Sequence, residues 1–444
     1  VIDGDEIKVF ADVLVTVDGR KAFHAHHVGV ELTYDWPLSS KPEILDGYVD
    51  PVPVAVKAGF PYGYASLMAC AWGKPSEAFG PFYSPFDGGR HCARLPGPPY
   101  HFMTRLVRID GEPGAMTIGT EIELEYDIPD DSWYFDENGN RTMPFAVLLE
   151  AALQPCGWIA CYIGSALTTD KDVYFRNLDG TGTQKAELFD TSGTLRTVSR
   201  IKSVSNAGGM IIESFDVKCY LGDVEVYEMS TVFGFFPGAA LAQQLGISPT
   251  QEDRDILHAP SDYLVDLTER PAKYCDGALR LPKPMLLMLD RVTGYWPEGG
   301  KKGLGKLRSE KDVNPEEWFF KAHFFTDPVQ PGSLGIEAMI QLLQFYMLEN
   351  DMGAGIEDPR FEAIQLDAPM TWKYRGQVVP RNKTIYAEVD IIEVGTDERG
   401  PYAICDAYLW VDELRIYQAS NMGMRITSGP APDSRRSVEP GQVI

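Results

Sequence analysis

Two apolar runs dominate the hydropathy pattern. One extends from about Phe145 to Gly164, the other from about Ser333 to Glu349, and each carries a single acidic residue in its first half, Glu150 and Glu337. Runs of this length without polar alternation predict fully buried helices. Pro155 lies inside the first and predicts a kink there. After each helix the pattern changes to short segments rich in β-branched and aromatic residues, punctuated by Gly, Asp and Pro. These predict strands at 173–178, 194–204, 210–220 and 224–235 after the first helix, and at 360–369, 384–393, 402–411 and 415–426 after the second. Two-residue turns such as Asp18-Gly19 and Gly222-Asp223 mark antiparallel hairpins.

The two helix-and-strand blocks are copies of one another. Leu95-Pro-Gly-Pro-Pro-Tyr100 and the residues up to Arg105 recur as Leu281 to Arg291. Trp133 recurs as Trp318, and Pro144…Glu150…Gln154 as Pro331…Glu337…Gln341, always at an offset of 185 to 187. The chain therefore holds two homologous units in tandem, 95–237 and 281–428. A partial third copy opens the chain, because Asp12–Gly29 aligns without gaps on Asp406–Gly423, and Asp216 to Gly234 is the matching hairpin of the first unit. Residues 1–38 thus read as the terminal strands of a preceding or extended unit. Segments 39–94 and 238–280 read as linkers, and 429–444 as a tail. The expected class is α+β, with one long helix wrapped by antiparallel sheet in each unit.

Charge and composition narrow the function. The net charge of −24 disfavours nucleic acid and anionic membrane surfaces as partners, since both require cationic contacts. Local basic clusters remain as candidate docking patches: Lys301, Lys302, Lys306 and Arg308, and Arg375, Arg381 and Lys383. The N-terminus has neither the basic start nor the apolar core of a signal peptide, which points to a cytoplasmic protein. The absence of an initiator Met suggests a segment of a longer polypeptide. The seven cysteines form no CxxC pair and are expected as reduced, buried thiols without zinc. His24, His26 and His27 alternate on a strand without carboxylate or Cys neighbours in sequence and read as a solvated strand end. His91 and His101 read as structural residues, and Cys156 and Cys161 as packing residues.

The chemistry concentrates at 322–341. His323 stands in an apolar run, Pro331-Gly332 breaks the strand, and Glu337 and Gln341 follow on one helix face. A base, free N–H groups at a helix start and a carboxyl group in apolar surroundings are the components of proton-transfer chemistry. The string His323-Phe324…Pro328-Val329…Pro331-Gly332…Leu334…Glu337-Ala338-Met339…Gln341 resembles the active-site segment of the FabA-like β-hydroxyacyl-acyl-carrier-protein dehydratases. The segments Leu281 to Val292 and Lys373 to Pro380 are similar to that family too.

The resemblance implies a hotdog fold in each unit, hence a double hotdog. It implies that His323 removes the α-proton of a β-hydroxyacyl thioester, that a carboxyl group protonates the departing hydroxyl, and that the Gly332 N–H holds the thioester carbonyl. The product would be a trans-2-enoyl thioester. Ser333 opens the helix beside these N–H groups, and Gln154 and Gln341 would orient the carboxyls of Glu150 and Glu337. No metal or resident cofactor is implied; the substrate rides on acyl carrier protein as a phosphopantetheine thioester. The order of units resembles the tandem dehydratase region of polyunsaturated fatty acid and polyketide-type synthases, whose other domains would be partners.

Two departures stand out. Position 337 is Glu, the pattern of the dehydration-only branch, whereas the isomerising branch has Asp; the surrounding segments look more like the isomerising branch. The first unit has no histidine between Trp133 and Pro144. In family dimers the histidine of one hotdog faces the carboxyl of the other, so His323 would pair with Glu150. A homodimer in which Glu337 of another chain serves His323 is the competing arrangement. A hotdog acyl thioesterase and a non-catalytic structural pseudo-dehydratase are the rival functions.

Overall fold

Each apolar run is an 18-residue helix, Phe145–Tyr162 and Gly332–Glu349, buried along essentially its whole length. The first continues through Pro155 to Tyr162 without interruption. The computed structural model describes residues 2–3, 6–32, 36–50, 53–88, 90–138 and 140–429; the tail expected at 429–444 lies outside them beyond its first residue. Two compact units divide at Gly47.

The smaller unit is a long antiparallel hairpin, Glu6–Val17 paired with Arg20–Leu32 around Asp18-Gly19. Most large apolar residues of the hairpin are exposed, among them Val13, Leu14, Phe23 and Val30.

In the larger unit the two repeats form mirrored sheets joined at one edge. The second repeat contributes strands in the order 265–266, 291–296, 306–312, 384–397, 400–411, 414–427 and 370–374; the first continues with 173–184, 224–237, 210–221, 194–207, 121–127 and 105–110. All pairs are antiparallel. Each half-sheet wraps its own central helix, and the helices touch each other. One long helix enclosed by an antiparallel sheet, twice over, is a double hotdog. The Phe145–Thr168 stretch is long and apolar enough to cross a membrane, yet its most apolar 18-residue window is entirely buried inside this wrap.

The junction is the pairing of Met370–Lys373 with Gly182–Asp179. It depends on Gly180, where a Cβ would lie 2.0 Å from the Trp372 ring. The indole covers the glycine and donates from Nε1 to Asn177 Oδ1 at 2.8 Å. Arg360 adds a bidentate bond to Glu187 across the halves at 2.8–2.9 Å.

Several expectations need correcting. The strand expected over 360–369 is only Arg360–Phe361, followed by turns in which Asp367 takes φ +61°, and then a separate strand at Met370–Tyr374. Segment 39–94 is not a mere linker: Tyr64–Trp72, Pro75–Phe79 and Pro81–Phe86 are helical. Tyr62 and Phe79 pack on Trp158 of the first central helix, and Tyr83 donates to the Cys161 carbonyl at 2.8 Å. Within 238–280, Gln251–His258 is a helix with a Thr250–Asp253 capping box. It receives Arg308, whose guanidinium donates to the carbonyls of Ile256, Leu257 and Ala259. Arg308 and Lys306 are therefore buried, Lys301 pairs with Asp406, and the first basic cluster is not an open patch. In the second cluster Arg375 is held by Asp179 at 3.0 Å. All seven cysteines are buried and unpaired.

Replacing Gly180 by Val forces the Trp372 ring off the junction and breaks its bond to Asn177. Overpacking of this kind destabilises by about 1–3 kcal/mol, so Gly180→Val should lower the urea midpoint of unfolding clearly. Gly88→Ala, exposed and with open space where the Cβ would go, should change it far less.

Candidate active site

His323 ends the short helix Trp318–Ala322. Its N–H donates to the Phe319 carbonyl and its own carbonyl accepts from Val329 N–H, both at 2.8 Å, pinching residues 324–328 into a loop. The ring is buried, and Nδ1 lies 3.0 Å from the Val329 carbonyl oxygen. A carbonyl only accepts, so Nδ1 carries the proton and Nε2 is the basic nitrogen. The first half supports this helix from outside: Gly97 N–H donates to the Ala322 carbonyl at 2.8 Å.

Pro331 precedes the second central helix and Gly332 begins it. The N–H groups of Gly332 and Ser333 have no acceptor within the helix. Gly332 is required by its neighbour, since a Cβ there would lie 2.8 Å from Tyr374 Cε2.

The carboxyl group that shares the cavity with His323 comes from the other half. Glu150, Gln154, His323, Gly332 and Ser333 all line one cavity of about 800 Å³, open mouth included. Ser333 Oγ donates to Glu150 Oε2 at 2.7 Å and is 2.9 Å from the Tyr100 hydroxyl. Gln154 is fixed by the Phe102 N–H and the Tyr100 carbonyl at 2.9 and 2.8 Å, and turns its amide toward Glu150 Oε1 at 3.4 Å. Arg176 ties the halves together at the cavity wall, pairing with Asp327 at 2.6 Å and bonding Gln377 at 2.8 Å.

Electrostatics separate the two titratable groups. Burial pushes the Glu150 carboxyl up to about 7, against the hydrogen bonds from Ser333 and Gln154 that favour its charge. Burial pushes the His323 imidazole down to about 3, helped by the Arg176 charge. At neutral pH the resting site thus holds a neutral imidazole and a substantially protonated carboxylic acid.

The symmetry-related position is degraded. Glu337 faces the first half, where it accepts from the Ala146 N–H, and Gln341 donates to it at 2.9 Å. Gln341 itself is held by Met288 N–H and the Leu286 carbonyl, the repeat-equivalents of Phe102 and Tyr100. The space beside Glu337 is only about 310 Å³, lined by Asn138, Phe145, Arg280 and Gln344. Asn138 stands where the repeat has His323, and its amide donates to the Thr142 carbonyl at 2.8 Å, as His323 does to Val329. Phe145 stands where the repeat has Gly332.

Residues 281–420 match the family model described as a FabA-like domain. The match lies entirely within the second half. A component of the polyunsaturated fatty acid synthase of Thraustochytrium sp. is 32% identical over 405 residues, covering 85% of this chain and 26% of that protein. The chain thus spans about a quarter of the length of that curated relative. Solved structures that overlay include the dehydratase domain from the CurJ module of Curacin polyketide synthase, at 11% identity, 73% of this chain, 96% of that one and TM-score 0.42. The bifunctional dehydratase-cyclase domain in ambruticin biosynthesis overlays at 14% identity, 75% of this chain, 97% of that one and TM-score 0.38.

Of the residues singled out in the sequence, His323, Gly332 and Ser333 of the second half share the cavity with Glu150 and Gln154 of the first half; Glu337 and Gln341 lie outside it. Tyr100, Arg176 and the stand-in Asn138 were missed, although the repeat offset of 185 aligns Asn138 with His323. The hairpin histidines do have a carboxylate neighbour: Asp12, brought in by the opposite strand, is 3.2 Å from His26 Nδ1, and its ligand atom and those of His24 and His26 lie within 4.8 Å of one another. The group is largely exposed, and Lys21 Nζ lies 3.0 Å from His24 Nδ1.

The raised carboxyl values carry a stability signature. Glu150 and Glu337 bind protons more tightly folded, at about 7, than at the ordinary 4.5. Their contribution is full below about 4.5 and is lost as pH rises through about 7. Urea midpoints should therefore fall between pH 5 and 8, and Glu150→Gln and Glu337→Gln should each shrink that fall.

Proposed function

We propose that the chain dehydrates β-hydroxyacyl thioesters, with His323 as base and Glu150 as acid in a single site built from both halves. The observation that carries this reading is the shared cavity, in which one buried group rests neutral and basic and the other neutral and acidic.

The substrate would enter with its thioester carbonyl against the N–H groups at the start of the second helix. Nε2 of His323 takes the α-proton, and negative charge collects on the thioester oxygen. The free N–H groups and the helix dipole meet it there. The imidazolium that forms is disfavoured in the empty site by burial, and the enolate oxyanion supplies the partner that offsets this. Glu150 protonates the β-hydroxyl, the C–O bond breaks, and water and an α,β-unsaturated thioester leave. Proton transfer from His323 back to the Glu150 carboxylate, directly or through water, restores the site. Gln154 and Ser333 orient the acid.

The substrate would be delivered by acyl carrier protein as a phosphopantetheine thioester, with the other domains of a fatty acid or polyketide-type synthase as partners. The step requires no metal or resident cofactor. A thioesterase would use an ionised carboxylate to activate water, and burial works against ionisation of Glu150.

His323→Ala should reduce dehydration by roughly 10²–10⁴-fold, the usual scale for a lost general base, with unchanged circular dichroism. Glu150→Gln should be comparably impaired, because an amide cannot protonate the leaving hydroxyl, while Glu337→Gln should lose far less. An active Glu150→Gln beside a dead Glu337→Gln would reject the cross-half site and favour sites formed between chains. In a His323→Ala background, Asn138→His should not restore turnover, since Phe145 and Gln344 still occupy the second pocket.

A further inference from the structure

We infer that Gly157 determines which acyl chains the site accepts. The inference rests on the dehydratase reading above and concerns the end of the cavity remote from His323.

Glu150, Leu153, Gln154 and Gly157 all line the cavity. They stand at i, i+3, i+4 and i+7, one stripe of the first central helix, so the cavity runs along that helix. Gly157 lies about 10 Å down the axis from Glu150, far enough for the tail of a medium-length acyl chain to reach it. The surroundings change along the same path. Near Glu150 the walls are polar; near Gly157 they are Leu95, Phe175 and Phe233, with the two Phe rings stacked at 4.7 Å. An apolar lining beyond the acid suits the hydrocarbon tail of a β-hydroxyacyl group.

Gly157 presents bare backbone to this path, and any side chain there would press on its apolar wall. A Cβ at 157 would meet Leu95 Cδ2 at 2.9 Å and Phe175 Cε1 at 3.4 Å. Gly157 has ordinary helical backbone, so no positive φ demands it; its value lies in the missing side chain. The other half supplies an internal control. There the stripe reads Glu337, Ile340, Gln341, Gln344, so Gln344 takes the place of Gly157. Glu337, Ile340 and Gln344 line the second pocket, which has well under half the volume of the first. The scaffold is the same, and the side chain at this position occupies the space the tail would need.

The test compares kcat/KM for β-hydroxydodecanoyl and β-hydroxybutyryl pantetheine thioesters, in the full chain and in Gly157→Ala and Gly157→Gln. The long-to-short ratio should fall by roughly 10-fold or more in Gly157→Ala, on the scale of a methyl group in an apolar pocket, and further in Gly157→Gln. Adding Leu95→Ala to Gly157→Ala should recover part of the ratio, because Leu95 is the neighbour crowded by the new methyl. An unchanged ratio in folded Gly157→Ala, or equal losses on both substrates, would overturn the assignment. A wild-type chain inactive on both thioesters would instead overturn the dehydratase reading, and this inference with it.

Discussion

Everything about the site follows from the way the two halves are locked in register. The edge pairing of Met370–Lys373 with Gly182–Asp179 and the contact of the two central helices fix each helix start against the body of the other. Ser333 Oγ reaches Glu150, and Ala146 N–H reaches Glu337. A helix start offers donors and positive potential, so each buried carboxyl is met by the half that did not supply it. A half alone therefore carries either His323 without Glu150 or Glu150 without His323.

The same enclosure sets the chemistry. A carboxyl and an imidazole in water differ by about two pK units with the acid the stronger, so both would be charged near pH 5–6. Burial raises one and lowers the other until their order is reversed. That reversal keeps the proton on Glu150 and off His323 before substrate arrives. Desolvation is the largest cause of both shifts. The hydrogen bonds from Ser333 and Gln154 work in the opposite direction, toward ionisation. Their contribution is to aim the acid.

Much of this was legible in the sequence because tandem repetition survives in spacing. The offsets placed Trp133 on Trp318 and Glu150 on Glu337, and the absence of a histidine before Pro144 identified the half without a base. The Asn138 stand-in was hidden by its type: the offset of 185 still aligns it with His323, but an asparagine in a polar loop does not stand out, and the two-residue shortening falls after it. Segment 39–94 was hidden for another reason. Its helices are short and irregular, and what packs them is aromatic contact with Trp158, a tertiary fact without periodicity. Asp12 escaped notice beside the histidines because a cross-strand neighbour is distant in sequence. The first basic cluster is not an open surface patch because Arg308 is satisfied by carbonyls, which no charge count reveals.

The degraded site keeps Glu337 and Gln341 with no histidine opposite, and the cause is structural. Gln341 is bonded on three sides, to Met288 N–H, the Leu286 carbonyl and Glu337. These contacts bind the strap before strand 291–296 to the helix, as Gln154 binds the Tyr100 strap in the other half. Removing Glu337 would leave part of the Gln341 amide and the Ala146 N–H without partners in a dry interior, at about 1–3 kcal/mol each. A neutral carboxyl there is thus a structural group whether or not it meets a substrate. Glu150 has that same structural task and the cavity besides. The two sides of the molecule therefore differ less in the carboxyl itself than in the residues that accompany it, Gly332 against Phe145 and Gly157 against Gln344.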